Sequence, residues 1–252
     1  MTPRISVVIP AFNEEYELPR TLAAFKLAFD NYKTVYRDKT IEFIVVDNAS
    51  TDRTAEIART WGARVVHEPH RQIARARNAG AEAAQGDILV TCDADSLPHP
   101  QIFLKIESEI ARGIFAGGVR VWAKPLKLTQ FPVFLLVNLV SLLCKLPGGM
   151  YFIKRDDFFA VGEFDETLFA LEDVDFAHRI KQAARRQHKK LSILWKYPIL
   201  TSTRKFRVSR ISDWFRLGFL AIVLPKKYLK DRSYWENLYY SPTLREQEET
   251  SN

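Results

Sequence analysis

Ile88-Leu89-Val90-Thr91-Cys92-Asp93-Ala94-Asp95 decides the fold: an apolar run that ends on two carboxylates, bounded by Gly86 and Pro98. A run of this length without polar alternation reads as a strand covered on both faces, as in a parallel sheet. In open parallel sheets the chemistry lies beyond the carboxyl ends of the strands, which is where Asp93 and Asp95 fall. Two carboxylates one residue apart can aim at one divalent cation, and hard oxygen donors suit Mg²⁺ or Mn²⁺. Spacing alone carries little weight, because a chain of this aspartate content holds roughly one such pair by chance. Asp173-Val174-Asp175 is a second instance. Context has to separate the two.

Upstream of the run, strand and helix signals alternate. Ile5 to Ile9 is strand-like and is followed by a loop, Pro10-Ala11-Phe12-Asn13-Glu14; Leu18, Leu22, Phe25 and Phe29 then repeat at helical spacing. Ile41 to Val46 is a second strand, closed by Asp47-Asn48-Ala49-Ser50-Thr51-Asp52. Ser50, Thr51 and Asp52 are N-cap candidates for a helix through Thr60. Ala63 to His67 reads as a third strand and Ala74 to Ala84 as an Ala-rich helix ended by Gln85-Gly86. Strands alternating with helices imply βαβ units.

Downstream the pattern loosens. Gln101 to Arg112 and Asp173 to Arg186 look helical; Phe115 to Trp122, Gly148 to Ile153 and Leu191 to Trp195 look extended. Glycines in such strands mark close approach by a ligand or another backbone. The reading is one α/β domain with a mostly parallel central sheet flanked by helices and a mixed C-terminal part. It divides into a regularly alternating first part (1–97), a looser second part (98–200) and a basic, apolar extension (201–252).

At 252 residues, 47% hydrophobic and 27% charged, the chain has the composition of a globular protein. Cys92 and Cys144 lack metal-finger spacing and read as small core residues in a reducing compartment. With a strand expected directly after Met1-Thr2-Pro3-Arg4, no signal peptide is expected, and the location is cytoplasmic. The formal charge of +7 favours anionic partners. No nucleic-acid-binding signature accompanies it, which sets nucleic acid aside. Phe131 to Cys144 and Trp214 to Leu224 are too short to cross a bilayer. They read either as core helices or as interfacial segments on the inner face of a membrane. Lys124, Lys127, Lys145 and the basic stretches 204–210 and 226–230 flank them.

Six pieces in order, Val7 to Glu14, Val45 to Asp52, Ala76-Arg77-Asn78-Ala79-Gly80, Asp93-Ala94-Asp95, Gly148-Gly149 and Leu171-Glu172-Asp173, resemble the family 2 glycosyltransferases of GT-A fold over roughly residues 4–195. The resemblance implies an enzyme that moves a sugar from a nucleoside diphosphate donor, with uracil the expected base, to a hydroxyl acceptor. It places Pro10, Ala11, Phe12 and Glu14 against the nucleotide, and Asp47 on a base N–H. Arg77 and Arg204 fall near the diphosphate. Asp93 and Asp95 become ligands of the metal that bridges the donor phosphates, Asp95 the more direct. Asp173 aligns with the general base of an inverting transfer, with Glu172 beside it.

Plainer readings compete at several positions. Asp47 also suits an Asx turn, and Glu14 and Glu172 suit helix starts. Arg71, Arg75 and Arg77 suit a solvated basic face, with Arg71 and Arg75 sharing it if the helix begins early enough. His178 reads as an ordinary histidine rather than a further ligand. The chain lacks the Gln-x-x-Arg-Trp motif and the membrane helices of processive synthases, so single-sugar addition is expected. A retaining transferase, a nucleotidyltransferase and a degenerate binding module remain as alternatives. The second lacks its Gly-rich loop after the first strand; the third would predict missing acids, whereas Asp47, Asp93, Asp95 and Asp173 are present. The acceptor (lipid-linked, glycan or small molecule) and the oligomeric state are not encoded in any motif.

Overall fold

Seven consecutive buried residues, Ile5–Ala11, form β1 at the centre of the sheet; five more, Ile88–Cys92, form β4 beside it. The computed structural model describes residues 2–124, 148–169 and 171–202. The other strands are β2 (Ile41–Asp47), β3 (Arg64–His67), β5 (Ser96–Leu97), β6 (Ala116–Lys124), β7 (Gly148–Lys154) and β8 (Leu191–Ser202). The described helices are α1 (Leu18–Val35), α2 (Thr54–Trp61), α3 (Ile73–Ala83), α4 (Ile102–Ala111), α5 (Arg155–Val161) and α6 (Glu172–Arg186).

The strands form one eight-stranded sheet in the order β3-β2-β1-β4-β7-β6-β8-β5. β3, β2, β1 and β4 run parallel, with Ile5 opposite both Ile41 and Ile88. β7 enters antiparallel between β4 and β6, and β8 is parallel to β6. The expected mixed α/β class is therefore present, and β7 is what makes the second half mixed.

Both faces of the sheet are covered, which is why β1 and β4 lack polar alternation. One core packs Leu22, Phe25, Phe103 and Ile106 of α1 and α4 against β1 and β4. The other packs Ala76 of α3, Phe158 of α5, Phe176 of α6 and Phe164 against Val8, Val46 and Leu89. Gly80 lets α3 lie close on the sheet, because a Cβ there would stand 2.2 Å from Val8 Cγ1. Gly80→Ala is expected to destabilise the fold. Overpacking costs about 1–3 kcal/mol and outweighs the helix-propensity gain of about 1 kcal/mol. A urea midpoint equal to or above that of the parent would refute it. At the opposite end of the sheet from the chemistry, buried Glu107 accepts from Arg4 Nε, Lys39 Nζ and Tyr32 OH at 3.1, 2.9 and 3.2 Å. That cluster fastens α4 and α1 to the start of β1.

Several boundaries differ from those read off the sequence. β1 continues through Pro10 and Ala11 instead of ending at Ile9; its ladder to β4 stops at Val8, so the missing N–H of Pro10 breaks nothing on that side. β4 ends at Cys92, and the Ser96 N–H donates to the Asp93 carbonyl at 3.2 Å to turn the chain. α2 starts at Thr54, because Ser50 and Thr51 bond the Asn13 loop and only Asp52 serves the helix start, accepting from Thr54 N–H at 3.0 Å. α3 starts at Ile73, so Arg71 and Arg75 share no helical face. β8 runs past Trp195 to Ser202 because β6 and β5 flank it; α5 and β5 carry no signal that the sequence reading registered. Residues 131–144, 204–210, 214–224 and 226–230 lie outside the described residues. Among the described residues no helix is long and apolar enough to cross a membrane.

Candidate active site

The carboxyl ends of β1, β2 and β4 deliver three loops to one edge of the sheet. After β1, Asn13 adopts φ 51°, and after β2, Ala49 adopts φ 59°, both left-handed. The two loops hold each other. The Asn13 N–H donates to Ser50 Oγ at 3.0 Å, the Thr51 N–H to Asn13 Oδ1 at 2.7 Å, and the Glu14 N–H to Thr54 Oγ1 at 2.7 Å. Pro10 and Ala11 lie opposite Val46 and Asp47 in register. The Phe12 ring faces the Arg71 guanidinium at 4.7 Å. Glu14 is buried where α1 begins, and its carbonyl accepts from the Leu18 N–H. Asp47 Oδ1 accepts from the Ser50 N–H at 3.0 Å, a loop-forming bond one residue longer than an Asx turn, while Oδ2 faces His67 Nδ1 at 3.3 Å.

After β4, the turn carrying Asp93, Ala94 and Asp95 is pinned from α1 by Thr21, whose hydroxyl donates to the Ala94 carbonyl at 2.6 Å. Asp95 is buried and Asp93 half-buried. Arg77, reaching from α3, donates to Asp93 Oδ1 at 3.2 Å and to Glu172 Oε1 at 2.8 Å, with its guanidinium over the Phe164 ring at 5.1 Å. Only 6% of Arg77 is exposed. One buried cation thus joins the turn after β4 to the first residue of α6, across almost eighty residues of chain.

α6 opens on strained backbone. Leu171, its N-cap, sits at φ 60°, a conformation that costs a branched side chain about 1–2 kcal/mol. Asp173 follows, its Oδ1 accepting the Val174 N–H at 2.8 Å; the Tyr151 hydroxyl of β7 donates to the Asp173 carbonyl at 3.3 Å. Burial pushes the Glu172 carboxyl up to about 7, and the neighbouring Asp173 charge adds to that, outweighing Arg77. Burial also raises Asp173, against the pull of Arg77 and of the Val174 N–H. Burial opposes the Arg77 charge, but Asp93, Glu172 and Asp173 overcome it, so its pKa lies above the ordinary guanidinium value. Burial raises the Tyr151 phenol well above its ordinary value and keeps it a neutral donor.

Three further side chains have a role at this site that sequence reasoning did not assign. The Asn78 amide donates to the Phe164 carbonyl at 2.9 Å and accepts from the Phe164 N–H at 3.0 Å. Gln72 Nε2 donates to the carbonyls of Glu166 and Leu168 at 2.6 and 2.9 Å, and the Gln72 N–H donates to Asn48 Oδ1 at 3.0 Å. These amides lace the segment before α6 to α3 and to the loop after β2. Asn78 and Asn48 lie inside motifs of the family resemblance; Gln72 carries no signal that separates it from a surface polar residue. Asp175 pairs with Arg179 at 2.7 Å along α6, and His178 is exposed. Arg204 lies outside the described residues.

Asp93 and Asp95 offer hard oxygen donors one residue apart, and among the described residues no third His, Cys, Asp or Glu joins them in a cluster. That set fits Mg²⁺ or Mn²⁺ completing its shell with phosphate oxygens and water, and does not fit a closed structural zinc site.

A mixed sheet with three loops gathered on one edge and an acidic helix start delivered from the second half defines a domain of GT-A fold. Residues 6–124 match the model of Glycosyl transferase family 2. Over 109 residues the chain is 36% identical to an uncharacterized glycosyltransferase of Mycobacterium tuberculosis, covering 43% of this chain and 44% of the relative. The chain thus spans less than half the length of that relative. Among solved structures, Staphylococcus aureus TarS residues 1–349 in complex with UDP-GlcNAc superimposes with a TM-score of 0.62 at 16% identity, over 93% of this chain and 70% of that one. Glucosyl-3-phosphoglycerate synthase of M. tuberculosis, in complex with Mn²⁺, UDP and phosphoglyceric acid, does so with a TM-score of 0.55 at 23% identity, over 86% and 74%.

Proposed function

We propose that this chain transfers a sugar from a nucleoside diphosphate donor, UDP-linked by preference, to a hydroxyl acceptor with inversion, one sugar at a time. The observation that carries the reading is the bridge from Asp93 through Arg77 to Glu172, which brings Asp173 next to the carboxylates after β4. TarS holding UDP-GlcNAc, and the synthase holding Mn²⁺ with UDP, support the donor class.

In this reading the interlocked loops after β1 and β2 form the nucleotide floor, with Pro10, Ala11, Phe12 and Glu14 along one side and Asp47 accepting from the base. Asp95 and Asp93 hold the divalent cation, which when bound neutralises the departing diphosphate. Arg77 lies too deep for a direct phosphate contact. Its work is to fix the Asp93 and Glu172 carboxylates and keep Asp173 ionised. Asp173 takes the proton from the acceptor hydroxyl as that oxygen attacks the anomeric carbon opposite the leaving group. Arg204 is assigned to the diphosphate on the strength of the sequence resemblance. The chain works in the cytoplasm or against the inner membrane face.

The test is a thermal-shift panel of UDP, GDP, UDP-glucose and UDP-GlcNAc with and without Mn²⁺, followed by donor turnover. A ligand at a hundred times its Kd stabilises the fold by about 2.7 kcal/mol. UDP compounds with Mn²⁺ are expected to give that shift, and a chelator to remove most of it. Protein that neither binds nor turns over any nucleotide sugar defeats the proposal. A product with the donor's anomeric configuration defeats the inverting part alone.

A further inference from the structure

We propose that Arg120, set against Trp122 and Trp195, is an anion-binding subsite for the acceptor, so that the acceptor hydroxyl belongs to a molecule that also carries a phosphate or carboxylate. The inference rests on the glycosyl-transfer reading and names the acceptor's chemistry within it.

Strand register fixes where Arg120 stands. Gly118 of β6 pairs with Tyr151 of β7, and after a bulge Val119 pairs with Gly148, the first residue of β7. Arg120 and the rest of β6 therefore run beyond β7, on the edge where β4 ends; Arg120 sits at a register shift, and Val121 to Lys124 pair onward with β8 alone. Trp122 lies opposite Leu200, which lies opposite Leu97, two residues after Asp95. At about 4.8 Å per strand, Trp122 is roughly 10 Å across the sheet from the end of the Asp93–Asp95 turn.

The face is fixed as well. Val119 and Val121 belong to the core on the α1 and α4 side. Alternation puts Arg120 and Trp122 on the other face, with Tyr151, whose ring packs on Phe164 and Phe176 and whose hydroxyl meets the Asp173 main chain. Arg120 thus shares both sheet face and sheet end with the proposed base.

Two indoles flank its guanidinium. The guanidinium lies over the Trp122 ring of its own strand at 4.8 Å and the Trp195 ring of the adjoining β8 at 5.6 Å. Among the described residues it joins no ion pair, unlike Arg4, Arg77 and Arg179, and its Nε is buried without a hydrogen-bond partner. Aromatic contacts hold the guanidinium still without neutralising it, and a held guanidinium presents its fork of N–H donors to a bidentate oxyanion. The same chemistry would take an anion on a soluble acceptor or on a lipid headgroup.

Calorimetric titration of the whole chain, loaded with UDP and Mn²⁺, reads this directly. The probes are sn-glycerol 3-phosphate, glycerol as its neutral counterpart, and phosphatidylglycerol vesicles against phosphatidylcholine vesicles, all at one ionic strength. Either phosphate-bearing probe is expected to bind, and which one tells a soluble from a lipid-borne acceptor. Arg120→Ala is expected to weaken that binding at least about tenfold and Arg120→Lys several-fold, since Lys keeps charge but not the fork, while UDP affinity stays at the parent value. Glycerol binding as well as its phosphate, Arg120→Ala binding anions like the parent, or Arg120→Ala losing UDP overturns the subsite. Absence of UDP binding in the parent would instead strike the glycosyl-transfer reading.

Discussion

Asp173→Asn is expected to lower sugar transfer by about 10²–10⁴-fold, the span attributed to a positioned general base, while UDP affinity stays unchanged. Asparagine keeps the shape and can still accept the Val174 N–H that Asp173 Oδ1 accepts at 2.8 Å. What it loses is the ability to take a proton. Burial raises the Asp173 carboxyl, so the parent's kcat/KM is expected to fall as pH drops through that raised pKa, and the variant's residual rate to lose this acid limb. Transfer assays with labelled donor from pH 5 to 9 read both effects. Parent-level activity in the variant removes Asp173 from the base role. Loss of UDP binding along with activity would place it on the donor instead.

Arg77→Met should be the most damaging single change in structural terms. It leaves Asp93 and Glu172 without their shared cation in a site where Arg77 is 6% exposed, and orphaning a buried pair costs about 3–5 kcal/mol. The loss should depend on pH. Glu172, raised by burial to about 7 from an ordinary 4.5, contributes stability that is complete below 4.5 and lost as pH rises through 7. Removing Arg77 pushes Glu172 and Asp173 higher still. Protonating these acids costs less at pH 5 than at pH 8, so the loss is softened more at the lower pH. Urea midpoints at the two pH values should therefore show a larger destabilisation at pH 8, and the acid limb of kcat/KM should move to higher pH. Equal losses at both would mean that the guanidinium matters for packing alone. Arg77→Lys, which keeps the charge, should lose less at pH 8 and serves if the methionine variant does not fold.

Much of the domain could be read in the order of residues, for local reasons. Short, mostly apolar runs from Ile5 and Ile88, closed by turn residues, read as strands covered on both faces, and helical spacing from Leu18 to Phe29 fixes α1. The boundaries that misled were those set by partners distant in sequence. Ser50 and Thr51 look like helix caps until Asn13 takes their groups; Leu191 to Trp195 looks like a short strand until β6 and β5 extend it to Ser202. Short-range pattern contains no information about which far segment satisfies a polar group.

The same division runs through the site. Sequence alone determined that two carboxylates follow a buried strand, that an acidic pair opens a later helix, and that an arginine sits on the helix before that strand, because each is a matter of type, spacing and local propensity. Only the tertiary structure decided that Arg77 faces inward and bridges both acids, that Asn78 and Gln72 hold the second half onto the first while Tyr151 holds the start of α6, and that Arg120 shares a sheet face with Asp173. Strand order and register decide those facts, and both arise from long-range pairing that brings residues some forty to a hundred positions apart into contact.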